Sequence, residues 1–350
     1  MPHLYVTRQG ASLHKRGDRV EVRDEGVTLF SAPLRRLDGI VLVGNVQAST
    51  QILRHLAESS VPLFLMTYGG RLVARLVPPL GRNVFLRVRQ VHLSQDSTFV
   101  LETARAIVRT KIGGELALLE SHRSNHPVEG FEEARRRLRE LALAADECRS
   151  PDEARGIEGT AARTYYRILR NLVRDEMEFQ TRTRRPPTDP VNALLSLGYV
   201  LVGSRLASLL EAVGLDPFIG FLHDLQYGRP SLGQDFLEEF RAPCVDRFTL
   251  ALLNRRQVRL EDFETHPETG AVQLTQEGSR RYFTAFERYM QGTEGSRPAV
   301  LDEGGDTWEE RWRARAARWA AAIREACPYR PEDWDARGIG ARGTGLRVAS

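Results

Sequence analysis

The amino-acid sequence predicts an α+β protein, with a small N-terminal β-rich domain followed by a larger all-α domain, on three observations. Up to about residue 90, apolar residues come in short β-favouring runs divided by turn residues, at the spacing of successive hairpins. From about Ser97 onward they recur with helical periodicity over long segments. Pro78, Pro79 and Gly81 mark the boundary between the two patterns. The predicted division is a β-rich domain at 1–90, a linker at 91–97, a helical domain at 98–330 and a flexible basic tail at 331–350.

In the first domain, residues 4–6, 20–22, 27–30 and 40–43 are predicted strands, with turns at Arg16-Gly17-Asp18 and Asp24-Glu25-Gly26. A helix over 49–59 and two further strands at 61–66 and 72–77 complete it. His3, His14 and His55 are scattered, so nothing here is predicted to be catalytic, and the strand edges suit dimerisation or docking. In the second domain, 99–120, 130–145 and 151–180 are predicted helices, with the charge-rich 132–140 as a solvated face. Thr181 to Thr188, TRTRRPPT, is a basic loop. Asp189 caps the next helix, Pro190 takes its first position and Gly214 ends it. Its small residues, Ala193, Ser196, Gly198, Gly203, Ser204 and Ala207, predict close packing at the middle of the domain. A hairpin around 267–270 and a helix over 276–290 follow. Thr307 and Glu310 form a capping box for a last helix, whose Trp312, Trp319 and Ile323 line one side and pack on the protein's own body.

Composition narrows the function. With 350 residues, 41% of them hydrophobic and 27% charged, the chain suits two ordinary globular domains. Its formal charge of +4 favours an anionic partner. Lys15 and Lys111 are the only lysines, so almost all positive charge is guanidinium, which forks onto phosphate oxygens; a GC-rich genome would favour the same residue. Cys148, Cys244 and Cys327 form no CxxC pair, which argues for structural thiols over a disulfide framework or thiolate zinc site. No apolar run is read as a membrane span and residues 1–10 hold no signal-like core, so a cytoplasmic protein is expected.

The chemistry concentrates in residues 221–241, FLHDLQYGRPSLGQDFLEEFR. Ser231 and Gln234 match a capping box, which would place Asp235 in the first turn of a helix. Asp235, Glu238 and Glu239 then stand at i, i+3 and i+4 on one side, with Leu232, Phe236 and Phe240 on an apolar one. His223 precedes the turn and can fold back toward the acids. Carboxylates with one imidazole suit Mg²⁺ or Mn²⁺ better than a thiolate zinc site. The same residues also fit a helix start that simply favours acids, beside an ordinary histidine. Glu158, in GIEGTAARTYY, adds a carboxylate flanked by small residues; alone, it also fits an exposed helix acid.

Three segments in order, EGxAAxxY from Glu158, RRPPxDPVNALLSxGY from Arg184 and GxLHxxxxGRxSLxxDxxEEFR from Gly220, resemble the CRISPR-associated integrase family, the spacer-acquisition endonucleases called CRISPR-associated protein one. The resemblance extends to the order of a β-rich and a helical domain. It implies a Mg²⁺ or Mn²⁺ site made by Glu158, His223 and Asp235, with Glu238 at the adjoining acidic position and either of the last two as direct ligand. It also implies a homodimer formed through the β domain, and two dimers joined by the small CRISPR-associated protein two into a heterohexamer that holds a short DNA duplex. The implied reaction joins the 3′-hydroxyl ends of that DNA to a CRISPR repeat. One departure is that Lys111 is followed by Ile112-Gly113-Gly114-Glu115 where many members have Asn-Gln, which bears on local packing.

Such a transfer needs no covalent protein nucleophile, only charge held against the phosphorus-bound oxygens. Arg163, Arg167, Arg182, Arg184, Arg185, Arg229 and Arg241 are expected to meet DNA phosphates, about half of them being structural pairs instead. Tyr165 is expected either to position DNA or to pack between helices. The competing readings are a branched-DNA repair nuclease that does not integrate, and a non-catalytic DNA-binding scaffold.

Overall fold

The computed structural model describes residues 2–76, 83–122, 128–173, 175–183, 186–292, 307–332 and 334. Strands β1 (His3–Val6), β2 (Ser12–Arg16), β3 (Arg19–Asp24), β4 (Val27–Pro33), β5 (Gly39–Val43), β6 (Gln47–Ala48), β7 (Leu63–Met66) and β8 (Leu72–Leu76), with helix α1 (Thr50–Glu58), build the N-terminal lobe. They form two four-stranded sheets, ordered β4-β3-β2-β6 and β1-β5-β7-β8. The first is an antiparallel meander with β6 added parallel to β2; in the second, β1, β5 and β7 run parallel and β8 returns antiparallel.

Strand β5, GIVLV, is buried along its whole length, as a near-continuous apolar strand should be when both its faces are covered. Because side chains alternate, Ile40 and Leu42 join Leu13, Val20, Ile52 and Leu56 in the core of this lobe, while Val41 and Val43 join Phe64 and Met66 against the helices. The lobes therefore share a packed boundary. Tyr5 fastens it from β1, stacking on Phe283 at 4.7 Å and donating to Glu287 at 3.2 Å.

The helical lobe contains α2 (Val84–Leu93), α3 (Ser97–His122), α4 (Phe131–Glu147), α5 (Pro151–Leu169), α6 (Pro190–Ala212), α7 (Ser231–Glu238), a π-helical turn over Arg241–Asp246, α8 (Arg247–Asn254), the hairpin β9 (Phe263–Thr265) and β10 (Val272–Leu274), α9 (Gln276–Gln291) and α10 (Trp308–Glu325). The caps behave as the residue types require. Ser150 accepts from the Glu153 N–H with Pro151 following, Asp189 accepts from the Asn192 N–H with Pro190 following, and Thr307 and Glu310 cap each other's backbone.

Three expectations change. Helix already begins at Val84, inside the stretch assigned to the β domain, and Gln90 of α2 binds the Asp216 and Ile219 carbonyls of the helical lobe, both at 2.8 Å. The helix starting at Pro151 stops at Leu169 and gives way to two short 3₁₀ turns. Helix α6 is long and apolar enough to cross a membrane, with mean hydropathy 1.6, although no such run was expected; 61% of that window is buried inside the protein. Its small residues do serve close packing, because a Cβ on Gly198 would stand 2.6 Å from Val245 Cγ1. Helix α10 packs on the protein's own body: Phe240, just past α7, meets its Trp308 and Trp312 edge-on at 6.2 Å, as well as Trp334 beyond the helix at 6.1 Å, and Phe221 stacks on Trp319 at 5.8 Å. The tail from 335 to 350 lies outside the described residues, and the three cysteines are unpaired.

Candidate metal and DNA site

Helix α7 is short and buried on every side, so its acids serve three different partners instead of sharing one face. No capping box forms at its start: Pro230 holds the cap position, and Ser231 Oγ donates to the Asp224 carbonyl at 2.7 Å. Asp235 is fully buried. Its Oδ2 accepts the Phe221 and Leu222 N–H groups at 2.6 and 3.1 Å, and its Oδ1 accepts the His223 N–H at 3.0 Å. Gly220 allows this approach, since a Cβ there would lie 2.8 Å from Asp235 Oδ2. The chain before the turn thus folds back onto the helix, as its spacing suggested. Arg155 of α5 braces the same loop by donating to the Leu222 carbonyl at 2.7 Å.

His223 Nδ1 is 2.7 Å from Asp235 Oδ1. A carboxylate only accepts, so Nδ1 carries the proton and Nε2 of the neutral ring keeps its lone pair for a ligand. Burial alone would lower the His223 pKa, but the Asp235 hydrogen bond and charge, followed by Glu238 and Glu158, raise it. Asp235, with both oxygens spent on the loop, acts as the anchor of His223. Glu238 is the acid that faces Glu158.

Those two carboxylates meet on one ammonium. Lys111 of α3 is paired with Glu158 and lies 2.7 Å from Glu238 Oε2, which Arg241 Nε also approaches to 2.8 Å. Neither contact to Oε2 has hydrogen-bond alignment. Lys111 and Glu238 are 6% and 3% exposed, whereas Glu158 retains 21%. Burial works against every charge here. The Arg241 and Lys111 cations nevertheless hold Glu238 well below the usual carboxylate range, and Glu238, Glu158 and Glu115 hold Lys111 above the usual ammonium range. Glu239 turns to the other side of α7 and accepts the Tyr329 hydroxyl at 2.7 Å; burial pushes its pKa to about 7.

Among the described residues, no three His, Cys, Asp or Glu side chains converge as a ready-made metal cage. The donor chemistry still fits a hard divalent ion: two carboxylates already gathered on a cation, and an imidazole whose Nε2 is available. The residues that fit are Glu158, His223 and Glu238, with Asp235 behind the histidine.

The expected phosphate-binding residues divide. Arg163 and Arg167 project from α5 into solvent, and Arg163 donates to its helix neighbour Thr160 at 3.0 Å. Arg229 spans the turn, donating to the Asp224 carbonyl at 2.6 Å. Arg182 is drawn inward, to Asn192 Oδ1 at 2.7 Å and Ser196 Oγ at 2.9 Å, and Arg241 is committed to Glu238 and the Tyr199 ring. Tyr165 is buried and donates to Asp246 at 2.8 Å, so it packs between helices and has no surface to offer DNA. Arg184 and Arg185 lie outside the described residues.

Sequence reasoning missed Lys111 and Glu115 as members of the site. A signal was present: Lys111 is one of two lysines in a chain that otherwise uses arginine, and with Glu115 it stands at i and i+4 in an apolar segment of α3.

The fold and the site define a two-lobed protein, a mixed β lobe joined to a helical lobe that carries a carboxylate–imidazole centre. The family model described as CRISPR associated protein Cas1 matches residues 4–288. The "CRISPR-associated endonuclease Cas1 3" of Thermus thermophilus is 36% identical over 286 residues, 81% of this chain and 83% of that protein. Among solved structures, a casposase bound to integration product superposes with a TM-score of 0.79 at 21% identity, over 100% of this chain and 96% of that one. A chain of a Cas6-RT-Cas1–Cas2 complex superposes at 0.77 with 20% identity, over 98% of this chain and 36% of that longer one. The chain belongs to the CRISPR-associated Cas1 family.

Proposed function

We propose that this protein is a metal-dependent DNA integrase and endonuclease of CRISPR adaptation, joining DNA 3′-hydroxyl ends to the phosphodiester of a repeat. The observation that carries the reading is the pairing of Glu158 and Glu238 around one buried positive charge, beside an imidazole oriented by Asp235. Glu158, His223 and Glu238 would hold Mg²⁺ or Mn²⁺. When bound, such an ion supplies positive charge against the developing charge of phosphodiester transfer. The chain's own part is to fix the donors: Asp235 keeps His223 in one tautomer, Arg241 holds Glu238, and the buried surroundings strengthen each charge. Arg163 and Arg167, exposed on the Glu158 helix, would bind the DNA backbone.

The proposal extends to assembly. Val27, Leu29 and Phe30 are 63%, 53% and 42% exposed on β4, at the edge of its sheet, which suits homodimerisation. The fold shared with a chain from a Cas1–Cas2 complex supports a small partner of the Cas2 kind. A cytoplasmic location follows from this role.

Strand transfer tests the reading. Purified protein, with and without the partner, is mixed with a labelled duplex bearing 3′-hydroxyl ends and a plasmid carrying leader and repeat, in Mn²⁺, Mg²⁺ or EDTA. Label joined to plasmid is expected only with metal, and not with His223→Ala. Cutting without joining would favour a repair nuclease, whereas DNA binding without turnover would favour a scaffold.

A further inference from the structure

The charges around Lys111 do not close. A lysine ammonium is shared by Glu158 and Glu238, the two acids proposed above to hold the metal. One turn farther along α3 stands Glu115, 3% exposed, whose Oε2 is buried without a hydrogen-bond partner. Burial pushes the Glu115 pKa up to about 8, so the group mainly holds a proton at neutral pH, and its unpartnered oxygen is costly unless a donor or cation comes to meet it. Glu115 and Lys111 are at i and i+4, a spacing at which side chains on one helix meet, and a lysine has four rotatable methylene bonds with which to redirect its charge.

A divalent ion held by Glu158 and Glu238 cannot share that space with an ammonium, because like charges repel strongly where water is scarce. We propose that Lys111 is a displaceable cation: it pairs Glu158 with Glu238 until a divalent ion enters, and then swings along α3 onto the Glu115 Oε2. The lysine thereby serves as a positioning residue that keeps Glu158 and Glu238 together, and Glu115 is its second seat. An arginine, with a rigid fork that needs several partners, would serve this exchange poorly, which accounts for a lysine in an otherwise arginine-rich chain. The inference rests on the metal-dependent reading above.

A double-mutant cycle on Mn²⁺ affinity separates the exchange from simple electrostatics. Free Mn²⁺ is followed by electron paramagnetic resonance for the full chain, Lys111→Met, Glu115→Gln and the double variant. Lys111→Met is expected to bind Mn²⁺ about ten-fold more tightly and to lower the Tm in EDTA. Glu115→Gln is expected to bind it about ten-fold more weakly, but to have no effect in the Lys111→Met background. An equal loss from Glu115→Gln in both backgrounds would mean that Glu115 acts on the metal directly and would overturn the exchange, as would weaker binding by Lys111→Met. Should Lys111→Met fail to fold, a crystal structure of the unaltered protein with Mn²⁺ decides: Nζ against Glu115 supports the exchange, and Nζ still between Glu158 and Glu238 refutes it. Failure of the unaltered protein to bind Mn²⁺ at all would remove the metal reading too, while Mn²⁺ binding with Lys111 unmoved would remove only this inference.

Discussion

Two buried polar clusters lie close together in the helical lobe, and Arg241 belongs to both. In the first, Asp246 at the end of the π-helical turn accepts the Tyr165 hydroxyl at 2.8 Å on one oxygen and the Tyr199 hydroxyl on the other, while the Tyr166 and Tyr199 hydroxyls are 3.0 Å apart. In the second, Lys111 and Arg241 face Glu158, Glu238 and Glu115, and neither Glu115 Oε2 nor Glu238 Oε2 has an aligned hydrogen bond. Arg241 bridges them, its guanidinium 4.5 Å from the centre of the Tyr199 ring and its Nε 2.8 Å from Glu238. One cluster is a set of hydrogen bonds that satisfies its carboxylate and fixes helix positions. The other gathers charges that are held together but incompletely satisfied, which is the condition of a site that has something still to bind.

The comparison breaks first at Glu238. Glu238→Ala would leave Lys111 and Arg241 buried with one counterion fewer, and removal of one partner from a buried ion pair costs about 3–5 kcal/mol. The expected result is a loss of that size in urea or thermal unfolding measured in EDTA, together with loss of Mn²⁺ binding. A variant as stable as the parent would show that the ionic cluster contributes no cohesion of its own, and that the two clusters differ less than their contacts imply.

The second prediction concerns Asp246 and pH. Burial, opposed by the two tyrosine hydrogen bonds, raises its pKa from the ordinary 3.8 to about 6. Between those values the folded protein keeps a proton that the unfolded chain has released, so this group's contribution to stability falls as pH rises from about 4 to about 6 and is flat above. Two pKa units correspond to about 3 kcal/mol. Glu238 titrates in the opposite sense, so the measurement is a difference: unfolding free energy of the parent minus that of Asp246→Asn, at several pH values. The difference should fall by up to about 3 kcal/mol across that window. A difference that stays level would mean that the tyrosines keep Asp246 ionised, making this cluster ionic like its neighbour.

How much of this was legible beforehand follows the range of the contacts. Six of the eight strands of the β lobe announced themselves through β-favouring runs and Gly-containing turns, while β2, SLHKR, and the two-residue β6 were missed; α6 and α10 showed through Asp189-Pro190 and through Thr307 with Glu310, because those signals act within a few residues. Helix α2 was missed because Val84, Phe85, Val88 and Val91 face outward, so a β-branched, exposed stripe replaces the usual amphipathic pattern. In the site, the motifs marked Glu158, His223, Asp235 and Glu238, but the separate uses of the last two depend on tertiary contacts. Asp235 is turned to a loop 12–14 residues earlier, and Glu238 to a lysine on α3. Lys111 is 47 residues from Glu158 in sequence, beyond the reach of any spacing rule. The Ser231–Gln234 pattern misled for the converse reason: a local capping signal yielded to the Asp224 carbonyl, which gives Ser231 a buried partner.

The smallest expected effect is the one that most directly tests the division between the clusters. Tyr165→Phe keeps the ring that packs against Tyr166 at 5.1 Å and removes only the hydroxyl, leaving Asp246 Oδ2 without its donor. Loss of one hydrogen bond to a buried charged acceptor costs about 1.5–3 kcal/mol. At neutral pH, where Asp246 is mainly ionised, a decrease in that range is expected, and it should shrink near pH 5 as the carboxyl group takes up a proton. Mn²⁺ affinity should stay within about two-fold of the parent, because Tyr165 contacts the satisfied cluster and none of the proposed donors. Strand transfer at a temperature well below the Tm should persist for the same reason. If Tyr165→Phe instead abolished Mn²⁺ binding with the fold intact, the bridge through Tyr199 and Arg241 would be transmitting position from one cluster to the other. The hydrogen-bonded network would then be part of the working site, because a shift in Tyr199 would move the guanidinium that holds Glu238.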